Sequence, residues 1–322
     1  KDMLMYFPLP TSYGFSGYYA NIGNMMNGGV SLELAGTPIK TRDFSWTINA
    51  NITWQKNKIT SLPDERKIGK AWTIDDNGNV GRKVSGYSSG YTFYGEGESM
   101  FSYYTKKYAG VDKTTGLPMY YKTDEVTDPE TKETSIVTTT TTTFSDATDY
   151  IVAACPAHWF GGFSTQFQYK GFDLSATFNY RLDGKIFDGT YAGMMAAPTS
   201  TSLGTNIHAD ALNAWNPENI GSDTPRFYYG DLYSGQNSSR FLTSAAYLSL
   251  ENINFGYTIP SKICKKAFLQ SVRVYLAADN VWIWSKRQGL DPRQFMNGGS
   301  SAQGASYYSA VRTISGGLTV TF

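Results

Sequence analysis

The chain has 322 residues, of which 41% are hydrophobic, 15% aromatic and 17% charged, against roughly 25% charged residues in ordinary soluble domains. No apolar run approaches the ~18 residues a membrane helix needs, so a helical membrane protein is excluded, while a β-barrel stays open because its polar interior residues dilute the apolar signal. A formal net charge of +1 without a basic cluster of the kind nucleic acid requires leaves no nucleic-acid footprint, and Cys155 and Cys264 are too few for a disulfide framework.

In chain order, residues 1–7 (KDMLMYF) read as the tail of a strand, shorter than the ~9–11 residues a spanning strand needs. No charged n-region, apolar h-region or small-residue cleavage site follows Lys1, so the chain reads as a piece of a longer exported polypeptide. Residues 22–36 give the next strand, with Val30, Leu32 and Leu34 on one face and Ser31 and Glu33 on the other. A tight connection at 37–43 leads into residues 44–55, FSWTINANITWQ. There Phe44, Trp46, Ile48, Ala50, Ile52 and Trp54 alternate without error against Ser45, Thr47, Asn49, Asn51, Thr53 and Gln55. Ten steps of about 3.4 Å give about 34 Å, and a tilt of about 40° projects this to roughly 26 Å, close to the ~25 Å apolar band of an outer-membrane barrel. Trp46 and Trp54 then fall near the two interfaces.

A long polar segment, 57–98, follows. Residues 100–111 (MFSYYTKKYAGV) predict a strand, 112–116 (DKTTG) a turn, and 119–122 the start of a return strand. Segment 123–157 holds six consecutive threonines, Thr138 to Thr143, read as part of a loop hairpin rather than a glycosylated tract. Residues 159–170 and 172–182 make the clearest hairpin, joined only by Lys170 and Gly171. After the longest loop, 183–240, residues 247–259 alternate with a phase slip that predicts a bulge near Glu251 or Asn252. A short basic connection at 260–270 leads to a strand at 271–284 that slips near Asp279, and residues 314–322 supply the last strand.

Short connections (37–43, 112–118, 170–171, 260–270) and long ones (57–98, 123–157, 183–240, 285–306) alternate strictly. That asymmetry belongs to an up-and-down membrane barrel with short periplasmic turns and long extracellular loops, not to a Greek-key sandwich. The predicted fold is all-β, a transmembrane antiparallel up-and-down β-barrel of which this chain holds about ten strands. A free edge cannot face lipid, so the remaining strands are expected from the rest of the same protein, and the last strand is expected to descend to the periplasm.

Five segments carry a family resemblance: residues 21–60 (NIGNMMNGGVSLELAGTPIKTRDFSWTINANITWQKNKIT), 107–121 (KYAGVDKTTGLPMYY), 160–180 (FGGFSTQFQYKGFDLSATFNY), 213–219 (NAWNPEN) and 247–260 (YLSLENINFGYTIP). Together they resemble the C-terminal half of SusC-like TonB-dependent transporters, outer-membrane importers of Bacteroides-type bacteria. Residues 153–158 (AACPAH) match the family pattern only loosely. The resemblance implies that residues 1–322 are the C-terminal part of a barrel of about 22 strands with a plugged lumen, whose plug and N-terminal strands lie outside this chain. It further implies TonB-energised import of oligosaccharides, or of oligopeptides, under a SusD-like surface lipoprotein. A passive porin is the competing reading, and neither reading calls for a cofactor.

Candidate chemistry is sparse. His158 and His208 have no second ligand at metal-binding spacing. Cys155 and Cys264 fall on opposite sides of the membrane, too far apart to bridge. Asp75, Asp76, Asn77 and Asn79 read as a turn rather than a calcium loop, for want of a closing Glu. No nucleophile, base and oxyanion set can be assembled, so an enzyme is not expected. Glu33, Asp173, Arg181, Glu251 and Arg273 take lumen-facing positions and are expected to meet the plug or a solute path. Among loop aromatics, Phe93, Tyr94, Trp215, Tyr228, Tyr229 and Tyr233 are the candidates for stacking on sugar rings. Trp215 sits in NAWNPEN and also reads as a loop anchor.

Overall fold

The computed structural model describes residues 3–9, 11–154, 157–231, 234–287, 289–293 and 310–322. Three strands open the chain: β1 (Met3–Pro8), β2 (Gly17–Lys40) and β3 (Phe44–Ser61). Eight short ones follow: β4 (Gly69–Ile74), β5 (Val80–Ser89), β6 (Thr92–Gly95), β7 (Ser102–Lys106), β8 (Tyr108–Val111), β9 (Pro118–Thr127), β10 (Thr134–Thr141) and β11 (Asp149–Ala154). Then come β12 (Trp159–Tyr169), β13 (Phe172–Arg181), β14 (Lys185–Phe187), β15 (Leu242–Ser244), β16 (Tyr247–Thr258), β17 (Ser271–Ser285) and β18 (Thr313–Thr321). No helix among the described residues is long and apolar enough to cross a membrane.

The principal sheet runs β1-β2-β3-β12-β13-β16-β17-β18, each neighbouring pair antiparallel. Its register carries the alternation of residues 44–55 across the whole sheet. One row reads Leu34, Ala50, Phe163, Phe178, Leu250 and Trp282; a row nearer the short turns reads Trp46, Phe167, Leu174, Phe255, Leu276 and Gly316. Between them lies the polar face, with rows such as Ala35, Asn49, Ser164, Thr177, Asn252 and Asp279. The apolar face is left bare by the protein, Val30 being 70% exposed, as a lipid-contacting surface must be.

Aromatics gather at the two ends of the apolar face. Trp46 stacks on Phe167 (5.7 Å) and Phe172 meets Tyr257 with tilted rings (4.4 Å) near the short turns, while Trp54 meets Trp159 (6.5 Å) near the long loops. Thr165 is a polar intruder on the apolar face, and the Trp46 indole donates to its hydroxyl at 2.9 Å. Lys170 (φ 47°) and Gly171 (φ 95°) both adopt positive φ, the requirement of a two-residue turn that matches strand twist.

Two expectations on strands need correction. Residues 100–111 and 119–122 do form strands, but β7, β8 and β9 lie outside the principal sheet, so it holds eight strands where ten were counted. β3 pairs directly with β12, and the turn at 112–116 belongs to the long-loop side. Period-two alternation cannot distinguish a membrane strand from a half-buried strand of a globular sheet. The second correction is length: β2 and β3 extend well beyond the aromatic ends, pairing as far as Asn24 with Ser61, so this hairpin stands above the apolar band.

The long connections supply the buried core. Strands β11-β4-β5-β6-β7 close into a small barrel in which β11 and β4 run parallel, and β10-β9-β8 form a second sheet beside it. The Thr-rich run forms a hairpin, Thr138 of β10 lying opposite Thr123 of β9. Residues from both long loops share one cluster, Ile74, Tyr103, Tyr150 and Val152 from the first with Phe187, Ala192, Met195 and Phe241 from the second. They therefore pack as one globular unit.

The face assignment predicts opposite outcomes for neighbouring substitutions. Phe178→Arg, in the middle row of the apolar face, is expected to cost about 2–4 kcal/mol and to deplete the protein from the membrane fraction. Thr177→Arg, one residue away on the polar face, is expected to leave abundance and thermal midpoint nearly unchanged.

Candidate functional site

The polar face and the loop unit at its long-loop end form the candidate site. Small amides and hydroxyls dominate the face because most of the alternate residues of these strands are Asn, Gln, Ser or Thr, and they bond across strands. Ser31 and Thr53 hydroxyls lie 2.9 Å apart, and the Gly162 amide donates to Asn51 Oδ1 at 3.1 Å. Charged residues occur here mostly as partners. Arg273 donates to Asp173 Oδ1 (3.1 Å) and Oδ2 (2.5 Å) and to Asn254 Oδ1 (3.0 Å). This pair lies across Gly256, where any Cβ would collide with the Arg273 guanidinium and the Asp173 carboxylate.

A second charged group sits at the long-loop end. The strands slip register between Leu250 and Asn252, with Asn280 at φ 51° on the facing strand, so the predicted bulges are present. The bulged Glu251 accepts from Ser249 Oγ (2.6 Å) and from Arg293 Nη1 (2.7 Å). Arg293 also forks onto Asp291, with bonds of 2.9 and 2.7 Å, and the Asp291 and Glu251 carboxylates raise its pKa further. The bulge thus re-aims one carboxylate to tie the segment after β17 to the polar face. Asp291 and Arg293 were not singled out from sequence; Glu251 lies 42 residues from Arg293 along the chain, and only an Asp-Pro-Arg run marks the spot.

Of the other positions expected on the polar face, Glu33 lies in the row of Asn51 and Gly162 and is exposed, while Arg181 is buried opposite Tyr247. The aromatic candidates separate. Phe93 is only 2% exposed, packed with Ala71, Val84 and Ile151, and offers no face to a solute. Tyr94 stacks on Tyr87 at 5.0 Å, and burial raises both phenols. Trp215, 8% exposed, is an anchor: its indole donates to the Lys113 carbonyl (3.1 Å), and its ring fills the space a Cβ would need at Gly116. Tyr228 and Tyr229 remain accessible, Tyr229 at 63%. Tyr233 and Cys155 lie outside the described residues.

His158 meets a carboxylate that sequence spacing did not reveal, whereas His208 is held within its own turn. His158 Nδ1 is 2.9 Å from Asp183 Oδ2, and Asp183 Oδ1 accepts from the His158 amide (2.7 Å). His208 Nδ1 accepts from the Asp210 amide (3.1 Å). Asp75 is satisfied within its own turn by the Asn77 and Asn79 amides and the Asn79 side chain, all at 2.8–2.9 Å, and these bonds hold its carboxyl below the usual range. Among the described residues no three His, Cys, Asp or Glu come together as a metal site.

Backbone and side-chain bonds stitch the two long loops together. The Tyr108 amide donates to Ser239 Oγ (2.9 Å) and its hydroxyl to the Asp223 carbonyl (3.1 Å), and the Arg226 amide donates to the Gly116 carbonyl (2.8 Å). Burial pushes the Tyr108 phenol up to about 12 and raises Tyr120 as well.

No protein-family model matches the chain. Matches that span all of this chain do appear among curated proteins. TonB-dependent receptor P3 of Formosa agariphila is 29% identical over all of this chain and 31% of its own length, and TonB-dependent receptor SusC of Bacteroides thetaiotaomicron is 26% identical over all of this chain and 29% of its own. The solved structure of the RagAB peptide transporter superposes with a TM-score of 0.77 at 26% identity, covering all of this chain and 32% of that one. The chain is homologous to TonB-dependent receptors. It spans about a third of the length of these receptors, and its eight-stranded sheet superposes within about a third of the RagAB transporter chain.

Two outcomes follow for the loop unit. Trp215→Ala is expected to remove about 3–5 kcal/mol of packing and to speed tryptic cleavage between residues 112 and 226, while the heat-modifiable gel shift of the barrel persists. Because Tyr108 is raised in the folded state, the stability tied to its neutral form is complete below about 10, the ordinary phenol value, and is lost as pH rises towards about 12. Thermal unfolding across that window should show the decline, and Tyr108→Phe should flatten it.

Proposed function

We propose that this chain is the C-terminal barrel segment of an outer-membrane importer of oligosaccharides, energised through TonB and capped by a SusD-like surface lipoprotein. In this reading the plug and the remaining strands come from the rest of a longer polypeptide. The open edges at β1 and β18 support this, because unpaired strand edges cannot face lipid. The short turns then face the periplasm.

The observation that carries the substrate class is the makeup of the polar face. Its Asp173 is neutralised by Arg273, and its Glu251 by Arg293, so what the described strands offer a solute is mainly Asn, Gln, Ser and Thr. Amides and hydroxyls suit the hydroxyls of a neutral sugar, and the exposed rings of Tyr228 and Tyr229 suit its apolar faces. Glu33, Asp173, Arg181, Glu251 and Arg273 border the path and meet the plug, and Tyr94 contributes from the half-buried wall of the loop unit.

An oligopeptide importer is the second reading, favoured by the similarity to the RagAB peptide transporter. A passive porin is disfavoured by the loop unit, whose shared core gives the long-loop end a folded cover. Uptake of fluorescent oligosaccharides and oligopeptides by cells expressing the full-length receptor, with and without TonB, tests all three. Oligosaccharide uptake that disappears without TonB, and falls about tenfold in apparent affinity for Tyr229→Ala, is expected. Uptake of peptide alone would move the assignment to the second reading, and TonB-independent leakage would make it a porin.

A further inference from the structure

Charges in this chain are distributed unevenly between the two ends of the sheet. The three short connections carry six cations, Lys40 and Arg42 beside β2, Lys170 in the β12–β13 turn, and Lys262, Lys265 and Lys266 between β16 and β17, against one carboxylate, Asp43. Elsewhere acids outnumber bases. Pairing differs in degree between the two ends. On the long-loop side Lys67, Lys106, Lys107, Lys185, Arg226 and Arg287 each meet an Asp or Glu. The six turn cations are all exposed, and none takes part in the ion pairs found among the described residues.

The largest of these turns also carries apolar side chains that the protein leaves uncovered. Residues Ser261–Cys264 and Lys265–Ala267 form a short helical stretch that buries Cys264 and exposes Lys262, Lys265 and Lys266. Phe268 closes it at φ 59°, a left-handed conformation costly for an aromatic residue, and is 94% exposed, with Ile263 at 59%. Phe268 and Ile263 lie among three unpaired lysines, immediately beyond the aromatic end of the apolar face, where Tyr257 and Phe172 stand.

We propose that the short-turn rim is a binding surface for anionic phospholipid headgroups, centred on Lys262, Lys265 and Lys266 with Phe268 and Ile263 set into the acyl boundary. The proposal rests on the reading of the sheet as a membrane-spanning barrel segment whose short turns face the periplasmic leaflet. Charge complementarity selects the occupant. Unpaired cations gain at an anionic surface, apolar side chains gain at the headgroup boundary, and both together at the edge of an apolar band match an interfacial anchor. Lys170, 5.3 Å above the Tyr169 ring, is placed to extend the same surface to the adjacent turn.

Native mass spectrometry of the detergent-extracted full-length receptor, with phosphatidylglycerol or phosphatidylethanolamine added, provides the test. The intact receptor is expected to retain phosphatidylglycerol selectively. The combined Lys262→Gln, Lys265→Gln and Lys266→Gln variant is expected to bind it about a hundredfold more weakly, at about fivefold per cation. Phe268→Ala should weaken retention of both lipids while leaving the preference intact. Replacing three loop-side lysines, Lys83, Lys113 and Lys122, by Gln should change nothing. Equal retention of both lipids by the intact receptor, or phosphatidylglycerol binding undiminished in the triple variant, would overturn the proposal. Membrane fractionation and the heat-modifiable gel shift, run on the same samples, separate this from failure of the barrel reading, since a receptor outside the outer membrane would fail both.

Discussion

Inside hydrocarbon no water is available to a backbone amide or carbonyl, so every one must be paired within the protein. From that constraint the rest of the structure follows. Pairing strand to strand forces alternate side chains onto opposite faces, and the face turned to lipid must be apolar while its partner may be polar. The register of β2, β3, β12, β13, β16, β17 and β18 keeps this assignment continuous across the sheet. It shifts in β2 at Gly36–Ile39 and again at Glu251 and Asn280, where the bulge re-aims a carboxylate to hold Arg293.

The same chain therefore runs on two solvents. Its strands expose their hydrophobic side chains and bury few, whereas its long connections, which stand in water, collapse around Tyr103, Tyr150, Met195 and Phe241 as a soluble domain does. The long β2–β3 hairpin joins these regimes: Trp54 lies at the aromatic boundary, and Ile59, five residues on, is fully buried under the loop unit. Gly116 and Trp215 show how the loops are joined, a glycine turn from one fitting under an indole from the other.

What was legible in the sequence was what the bilayer constrains most. The alternation of residues 44–55, the Lys170-Gly171 turn and the phase slip near Glu251 each have a local physical cause, and each is found where it was expected. The strands at 100–111 and 119–122 were assigned to the wrong sheet because β7, β8 and β9 obey the same two-residue period in a water-soluble setting. Phe93 was read as a ligand-stacking ring because it sits in a polar segment, yet a loop large enough to have its own core buries its aromatics. The pairs His158–Asp183 and Arg293–Glu251 bring together residues distant in sequence, so no spacing rule could mark them. Tyr228 and Tyr229, in the second loop, remain exposed.

The most direct test of the account is a single-cysteine scan from Phe44 to Trp54, in the full-length protein with its own cysteines replaced, in outer-membrane vesicles. Cysteines at Trp46, Ile48, Ala50 and Ile52 should resist a water-soluble maleimide and react with a lipid-soluble one, while those at Thr47, Asn49, Asn51 and Thr53 should not react with the lipid-soluble reagent. Uniform labelling along the strand, or an alternation of the opposite phase, would contradict the assignment of the two faces and with it the barrel.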